Sequence, residues 1–224
     1  LPPQEGVIIE IVSAMKIQTS TSSEIASEAD RLASCGLLDM GYTDETLSKL
    51  AVKTLTIKRL AKEKNAVIAA HVYQRIEIIH GIADFTGDSY RLAQLCCESK
   101  AKTIVFCGVR FMAETAKIMN PDKTVLLPAE EAGCSLAESI TAEDVRRLRA
   151  AHPGAPVVTY INTNVDIKAE SDVIVTSSSA ARILKEFYAK HPKIIFLPDK
   201  LMGLNLAKEL GKKPGEEMII ITPY

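Results

Sequence analysis

The sequence predicts an α/β fold built from repeated three-layer αβα domains, each with a four-stranded parallel sheet. From Asn65 onward, short apolar runs alternate with amphipathic helical stretches. The runs are too short and too continuous for amphipathic helices, and they are typical of parallel strands that helices cover on both faces. The predicted strand starts fall near residues 66, 84, 103 and 124, and again near 156, 172, 193 and 218. This spacing is an internal repeat of roughly 90 residues, which indicates two units of the same architecture.

The composition excludes several classes of protein. The 224 residues are 47% hydrophobic and 25% charged, which is ordinary for a globular chain with one large core or two small ones. The net charge of −1 argues against a nucleic-acid surface, because such surfaces carry an excess of Lys and Arg. No apolar run approaches the ~18 residues of a membrane span. Five cysteines without disulfide spacing or a CxxC motif indicate a reducing compartment, so we expect a cytoplasmic protein.

Residues 1–50 are predicted to form an N-terminal extension of unknown function. Val7–Val12 could be a strand, and Ser22 or Ser23 could cap a helix that runs through Ala33. A second helical stretch opens at Tyr42 and continues to Lys64. We expect a packing role for this extension.

The first αβα domain is predicted to span residues 51–152. Its strands are Ala66–Ala70, Asp84–Thr86, Thr103–Cys107 and Thr124–Leu127. Its helices are a stretch through Glu98 capped by Asp88 and Ser89, then Phe111–Met119, and a helix from Thr141 that ends at His152 before Pro153 and Gly154.

The second αβα domain is predicted to span residues 153–224. Its strands are Pro156–Ile161, Asp172–Thr176, Lys193–Leu197 and Met218–Ile221. Its helices are a stretch to Tyr188 capped by Ser177 and Ser178, and a stretch from Met202 to Leu210.

The residues that follow strand ends are the candidates for function, because ligands of parallel sheets bind at the carboxyl ends of the strands. They are His71, Tyr73, Ser89, Cys107 and Cys134 in the first unit, and Tyr160, Asn162, Ser177 and Asp199 in the second. A single His or a capping Ser is more often structural than functional. The repeat, however, places Ser177 where Ser89 lies, and the Tyr160–Asn162 pair where His71 and Tyr73 lie, which favours a shared binding function.

Cys134 is predicted to lie at the N-terminus of the helix that follows the fourth strand. Backbone N–H groups and the helix dipole favour a thiolate at such a position, and a thiolate can act as a nucleophile or a metal ligand. The alternative is a half-buried structural cysteine. In the second unit the matching loop would lie just after Tyr224, so we expect this to be a partial sequence.

Several motifs in fixed order resemble the quinolinate synthase family, A-type, over about residues 52–224. The motifs that carry the resemblance are residues 70–74 (AHVYQ), 83–89 (ADFTGDS), 105–117 (VFCGVRFMAETAK), 131–136 (EAGCSL), 155–162, 168–172 (KAESD), 175–178 (VTSS) and 197–200 (LPDK). Val72 departs from the Tyr or Asn that the family usually has between its His and Tyr. The segment before about residue 50 is not covered.

The resemblance implies three homologous αβα domains around a pseudo-threefold axis, of which this sequence holds two. Each domain of the family contributes one cysteine to a [4Fe–4S] cluster, whose open iron acts as a Lewis acid. The implied reaction condenses iminosuccinate with dihydroxyacetone phosphate to quinolinate in NAD biosynthesis. A functional link to L-aspartate oxidase or aspartate dehydrogenase, as the source of iminosuccinate, is also implied.

The resemblance also implies roles for individual residues. Cys134 matches a cluster ligand, and Tyr73 matches a tyrosine involved in proton transfer. The positions that match substrate contacts are His71, Ser89, Tyr160, Asn162 and Ser177. Because one of three cluster cysteines is present, we expect these 224 residues to be inactive alone.

Two other interpretations remain open from the residues themselves. A racemase-like enzyme with two facing cysteines would use Cys107 and a strand-end cysteine of the second unit, but no cysteine follows Cys134. A cluster-free module that binds a small dicarboxylate or phosphate is the other alternative.

Overall fold

The computed structural model describes residues 20–221, and it confirms two four-stranded parallel sheets with helices against them. The strands are β1 (Ala66–His71), β2 (Phe85–Gly87), β3 (Thr103–Cys107), β4 (Thr124–Leu126), β5 (Val157–Tyr160), β6 (Val173–Val175), β7 (Ile194–Leu197) and β8 (Met218–Ile220). The order is β2-β1-β3-β4 in the first sheet and β6-β5-β7-β8 in the second. The two units therefore share one topology.

The first two helices of the described residues precede β1, and the others lie between successive strands. They are α1 (Ser22–Ser34), α2 (Asp44–Glu63), α3 (Ile76–Gly81), α4 (Ser89–Glu98), α5 (Arg110–Met119), α6 (Ala142–Ala151), α7 (Val165–Ala169), α8 (Ala180–Tyr188) and α9 (Lys200–Glu209), with a 3₁₀ turn at Leu38–Met40. No helix in this part of the chain is long and apolar enough to cross a membrane.

The strand register confirms the repeat. Ala69 of β1 lies opposite Phe85 and Phe106, and Val158 of β5 lies opposite Val173 and Phe196. Ala69 therefore matches Val158. Counting forward along the central strands from this pair, His71 matches Tyr160.

The same register aligns the serines that follow the second strand of each unit. Gly87 lies opposite His71, and Val175 lies opposite Tyr160. Ser89 and Ser177 come two residues after these partners. The sequence-predicted match between the two serines is thus a match of backbone positions.

In each unit an aspartate just before the outer strand is hydrogen-bonded to the neighbouring central strand. Asp84 Oδ2 accepts a 2.8 Å hydrogen bond from the Ile68 amide, and the Asp84 amide donates to the Ile68 carbonyl. Asp172 repeats both bonds with Val157, at 2.7 Å for the carboxylate. In each unit the carboxylate thus accepts from a backbone N–H group that the short outer strand leaves without a backbone acceptor.

Separate apolar clusters stabilise the two sheets. Phe106 and Phe196, at matching register positions, are fully buried in the clusters on one face of their sheets. Other buried side chains cover the opposite faces, such as Ile68 in the first unit and Ile195 in the second. Each sheet is therefore buried on both faces, as continuous apolar strands require.

The helices α1 and α2 form a hairpin around Leu32, Leu37 and Leu47, and Ile76 of α3 packs against it. Helix α2 is continuous across the predicted boundary between residues 50 and 51. The domain boundaries at 50/51 and 152/153 stay predictions.

Some predicted local features were wrong. Thr21, not Ser22 or Ser23, caps α1, because its side chain and that of Glu24 form a reciprocal capping box. Helix α8 begins at Ala180, so Ser177 and Ser178 do not cap it. The predicted strand Val7–Val12 lies outside the described residues.

The sequence analysis missed the short helices α3 and α7. Each has fewer than two turns and no side-chain cap. A helix this short shows no 3.6-residue periodicity, so hydrophobic patterning could not detect it.

Candidate functional site

A cavity of about 320 Å³ lies between the two units at the carboxyl ends of their strands. Its lining combines the start of α4 with the residues that follow β5 and β6. The lining residues are Asp88, Ser89, Tyr90, Arg91, Tyr160, Ile161, Asn162, Thr176, Ser177 and Ser178. The structure thus brings together Ser89, Tyr160, Asn162 and Ser177, which the sequence analysis had selected from two units.

The second unit contributes a pair of hydroxyl groups that contact each other. Tyr160 Oη and Ser177 Oγ are 3.2 Å apart, and either oxygen can be the donor. The turn before α8 is held by Ser179, whose Oγ accepts a 2.9 Å hydrogen bond from the Thr176 amide. Because Ser179 holds this turn, the Ser177 hydroxyl is used for Tyr160 and for the cavity.

The first unit contributes the N-terminus of α4. Asp88 is the N-cap of this helix, and its Oδ1 accepts a 2.9 Å hydrogen bond from the Arg91 amide. Ser89 then stands in the first turn, where the helix dipole favours negative charge. Asp88 and Arg91 are the charged residues of the lining, one of each sign.

His71 is buried at the end of β1 and is 6% exposed. Burial lowers the pKa of His71, and the nearby Asp88 carboxylate acts in the opposite direction. His71 Nδ1 accepts a 3.3 Å hydrogen bond from the Tyr73 amide. An accepting Nδ1 in a neutral imidazole places the proton on Nε2, so His71 is a single N–H donor.

Tyr73 lies in the turn after β1 and is 89% exposed. Its ring meets the His71 ring edge-on, with centroids 4.7 Å apart and an interplanar angle of 72°. Neither residue lines the cavity. The structure therefore places His71 and Tyr73 together, near Asp88, and not among the lining residues.

Cys134 does not lie at a helix N-terminus, so that prediction was wrong. It precedes a single turn, in which the Glu138 amide donates to the Cys134 carbonyl at 2.9 Å. The next helix is α6, and its start is fixed by a capping box between Thr141 and Asp144. The helix-dipole argument for a Cys134 thiolate therefore fails.

Local contacts nevertheless give Cys134 a defined place. Its side chain is partly buried against the first-unit core. Its amide donates to Glu138 Oε1 at 3.3 Å. A Cβ on Gly133 would collide with the Glu138 carboxylate, so glycine at this position allows the bond.

The residues from 20 to 221 do not fit a complete iron–sulfur cluster. They contain no group of three His, Cys, Asp or Glu side chains that could hold a metal ion. Burial raises the pKa of Cys107, and it raises the pKa of Cys96 to about 11, which disfavours the thiolate that a cluster needs. Cys134 is thus one candidate ligand without two described partners.

The sequence analysis did not assign several of the lining residues to the site. Tyr90, Arg91, Ile161, Thr176 and Ser178 lie within two residues of the predicted residues. A strand-end loop exposes successive residues to the same cleft, and this spacing is the signal that could have found them. Asp199, a further strand-end candidate, caps α9 through a 2.8 Å bond from the Met202 amide and does not line the cavity.

Comparisons with known proteins agree with this architecture. A family model described as quinolinate synthetase A protein matches residues 55–223. The quinolinate synthase of Aquifex aeolicus is 54% identical over 172 residues, which are 76% of this chain and 52% of the relative. Those of Sulfurihydrogenibium sp. and Xylella fastidiosa are 55% and 53% identical, covering 70% and 68% of this chain and 50% and 44% of the relatives. The chain spans about half the length of the curated relatives it matches.

Proposed function

The chain belongs to the quinolinate synthetase A family, and from this premise we propose that it takes part in making quinolinate. The proposed reaction condenses iminosuccinate with dihydroxyacetone phosphate on the route to NAD. Iminosuccinate would come from oxidation of aspartate, by an oxidase or a dehydrogenase. A cytoplasmic site of action is part of the proposal.

The cavity between the units is the observation that carries the proposal. It offers the hydroxyl groups of Ser89, Ser177 and Tyr160 and the amide of Asn162 in one space of about 320 Å³. This volume is at the lower end of ligand pockets and suits a small molecule. Hydroxyl and amide donors are the groups that hold carboxylates when no paired cation is used.

Magnitudes explain why both units are needed. A micromolar ligand requires about −8 kcal/mol, and one helix N-terminus supplies only about 0.3–1 kcal/mol. Several convergent hydrogen bonds to a charged group, at about 1.5–3 kcal/mol each, would supply the rest. Ser89 with α4 could not hold a dicarboxylate without Tyr160, Asn162 and Ser177.

A [4Fe–4S] cluster is also part of the proposal, with Cys134 as one of its thiolate ligands. When bound, such a cluster would supply a Lewis acid for the substrate. The remaining ligands are not found among the described residues. We therefore expect the 224 residues by themselves to hold iron poorly and to form no quinolinate.

His71 and Tyr73 are proposed to act beside the cavity. The His71 N–H would orient the substrate, and the Tyr73 hydroxyl would transfer a proton. Their mutual contact supports a joint role, since the Tyr73 amide holds the imidazole in one tautomer. A Tyr73→Phe substitution should then lower turnover much more than substrate affinity.

The test of the binding site uses succinate as a stable dicarboxylate probe. Calorimetry on the 224-residue chain should show binding, and Ser177→Ala should weaken it about tenfold or more, as expected for one lost bond to a carboxylate. Ser48→Ala, in an exposed position on α2, should leave the affinity unchanged. Equal affinity of Ser177→Ala and the unsubstituted chain would remove the proposed site.

The test of the reaction uses a protein as long as the curated relatives. We propose joining this chain to the remaining length of the Aquifex aeolicus relative and measuring iron content and quinolinate under anaerobic conditions. The joined protein should hold iron and form quinolinate, and Cys134→Ser should abolish both. Retention of succinate binding is the control that the joined protein is folded.

A second candidate function is a cluster-free module that binds a small dicarboxylate or phosphate. It is favoured by the lining itself, because Ser89, Tyr160, Asn162 and Ser177 offer hydrogen-bond donors to a carboxylate or a phosphate without a metal. Succinate binding without iron or quinolinate in the joined protein would favour this module. The racemase-like alternative has no support, because the register matches Cys107 to Leu197, not to a second cysteine.

A further inference from the structure

Lys168 is a charged side chain that reaches from the second unit into the first. It lies on α7, and its Nζ is 2.9 Å from Thr115 Oγ1 and 3.4 Å from the Phe111 carbonyl oxygen, both on α5. Its third acceptor is the Thr163 carbonyl oxygen, at 2.7 Å, in its own unit. The three N–H donors of the ammonium are therefore each matched by one acceptor.

The surroundings of Lys168 favour a single position of its ammonium group. The ammonium lies 5.4 Å from the centroid of the Phe111 ring, a distance at which the ring face attracts a cation. The Thr115 hydroxyl donates to the Phe111 carbonyl at 2.8 Å, so its lone pairs are available to accept from Lys168. Burial lowers the pKa of Lys168 to about 8, while the Glu114 carboxylate acts in the opposite direction. The side chain is thus mainly protonated at neutral pH.

A second bond joins the same two helices. Glu114 Oε2 accepts a 2.8 Å hydrogen bond from the Val165 amide, in the first turn of α7. Helix α7 is thereby attached to α5 at its start through Glu114 and near its end through Lys168. Two attachments at different points restrict rotation of α7 as well as its distance from α5.

Helix α5 is itself fixed to the first-unit wall of the cavity. Phe111 and Ala116 of α5 share a buried cluster with Leu92 and Ala93 of α4, the helix whose first turn contains Ser89. Buried helix contacts of this kind are close-packed and resist displacement. A displacement of α5 would therefore also displace α4 and Ser89.

Thr163 connects Lys168 to the second-unit wall of the cavity. This fully buried residue follows Asn162, and its Oγ1 donates to the Tyr160 carbonyl at 3.1 Å. Its amide donates to the Ile161 carbonyl at 2.8 Å. A bond to the Thr163 carbonyl thus acts on the segment that presents Tyr160 and Asn162.

We propose that Lys168 is a positioning residue that fixes the Tyr160–Asn162 segment against α5, and so sets the spacing between the two walls of the cavity. It does not line the cavity and acts through Thr163. Helix α5 also contacts the loop before Cys134. The Arg110 amide donates to the Ala132 carbonyl at 2.8 Å, and Arg110 Nη2 donates to the Glu130 carbonyl at 2.9 Å. Helix α5 would therefore fix the position of Cys134 relative to the proposed substrate contacts. The identity of the ligand as a dicarboxylate rests on the proposed function.

The main test is Lys168→Met, which keeps an unbranched chain as far as the ε position and removes the ammonium. Hydrogen exchange at the Thr163 and Val165 amides should become about ten- to a hundredfold faster, as expected when a charged hydrogen-bond partner is lost. The central-strand amides of β1 and β5 should keep their protection. Succinate affinity should fall about tenfold. Lys185→Met, in an exposed position on α8, is the matched control and should change neither quantity.

A second variant covers the case in which Lys168→Met unfolds the chain. Thr115→Val removes one acceptor on α5 without changing the shape of the side chain. It should accelerate exchange at Thr163 less than Lys168→Met does, and combining the two substitutions should add less than the sum of the separate effects. A slowly exchanging ammonium signal in ¹⁵N-lysine spectra should disappear in Lys168→Met, which assigns the signal, and it should shift in Thr115→Val, which tests the bond between Lys168 and Thr115.

The outcomes separate this inference from the proposed function. Unchanged exchange at Thr163 and an unchanged lysine signal in Thr115→Val would overturn the positioning role. If the unsubstituted chain does not bind succinate, the dicarboxylate proposal fails, and the exchange and ammonium measurements alone decide the role of Lys168. Full additivity of the two substitutions would also contradict it.

Discussion

In the first unit His71 ends the central strand and Tyr73 follows in an exposed turn, whereas in the second unit Tyr160 and Asn162 occupy the matching positions and line the cavity. The backbones around them are paired in the same register. A repeated scaffold thus presents different side chains at equivalent places. The first unit forms its wall of the cavity from the start of α4, and the second forms its wall from two strand ends.

This difference indicates which interactions build the scaffold and which build the site. Apolar strands recur because each sheet is covered on both faces. The carboxylates of Asp84 and Asp172 recur because each accepts from a central-strand amide, that of Ile68 or Val157. The strand-end side chains carry no such requirement and are free to differ. The shared carboxylates and apolar strands therefore serve the scaffold, while the cavity combines a matched pair of serines, Ser89 and Ser177, with strand-end side chains that differ between the units.

The largest effect on this comparison should come from the matched phenylalanines. Phe106→Ala and Phe196→Ala each leave a cavity beside fully buried neighbours, and we expect each to lower the free energy of unfolding of its own unit by about 3–5 kcal/mol. Native-state hydrogen exchange of β1 and β3, compared with β5 and β7, measures the two units separately.

The milder substitutions Phe106→Leu and Phe196→Leu are the controls, and each should cost less than the alanine change at the same position. Similar decreases in the free energy of unfolding at the two positions would support equivalent packing in the two cores. A decrease in one unit without a decrease in the other would contradict it, because matching register would then not mean matching packing.

The next effect should come from the paired aspartates. Asp84→Ala and Asp172→Ala each leave a strand amide, of Ile68 or Val157, without its carboxylate acceptor, and we expect a cost of about 1.5–3 kcal/mol. Asp172 also forms a 2.8 Å ion pair with Arg149 Nη2. Because that pair is partly exposed, it should add no more than about 1 kcal/mol to the cost of Asp172→Ala.

Urea unfolding together with hydrogen exchange at the Ile68 and Val157 amides would measure these costs. Asp122→Ala, at an exposed turn, should be neutral and serves as the control. If both aspartate variants are as stable as the unsubstituted chain, the carboxylates do not close the sheets, and their recurrence carries no structural meaning.

Much of the scaffold was predictable, because its signals are local. The strand Thr103–Cys107 was predicted with its observed bounds, since the β-branched Thr103 and four continuous apolar residues after it leave few alternatives. Ser89, Tyr160, Asn162 and Ser177 could be selected for the cavity because strand ends in parallel sheets meet at one edge.

The remaining features depend on tertiary contacts or on competing local signals. The sequence after Cys134 resembles a helix start, but the capping box of Thr141 and Asp144 fixes the helix seven residues later and leaves Cys134 before a single turn. The role of Lys168 could not be predicted, because its acceptors on α5 are 53 and 57 residues distant in sequence. No pattern within one element contains that information.

The smallest effect concerns the titration of His71, which ends the central strand of the first unit as Tyr160 does in the second. Burial lowers the pKa of His71 below its ordinary value of 6.5, which is also the value expected in the unfolded chain. Between the folded and the unfolded pKa, the unfolded chain binds more protons than the folded chain. Stability therefore increases with pH in that window, is fully present above pH 6.5, and is lost as the pH falls through the folded pKa of His71.

We predict that His71→Gln removes this part of the pH dependence. The difference in unfolding free energy between the unsubstituted chain and His71→Gln should be constant above pH 6.5 and should change in favour of the variant on acidification, because Gln has no proton to gain. Tyr160→Phe is the matched control at the equivalent strand end, since it leaves the His71 imidazole in place and the acid slope should persist. A difference that stays constant from neutral to acid pH would show that His71 is not desolvated at the strand end.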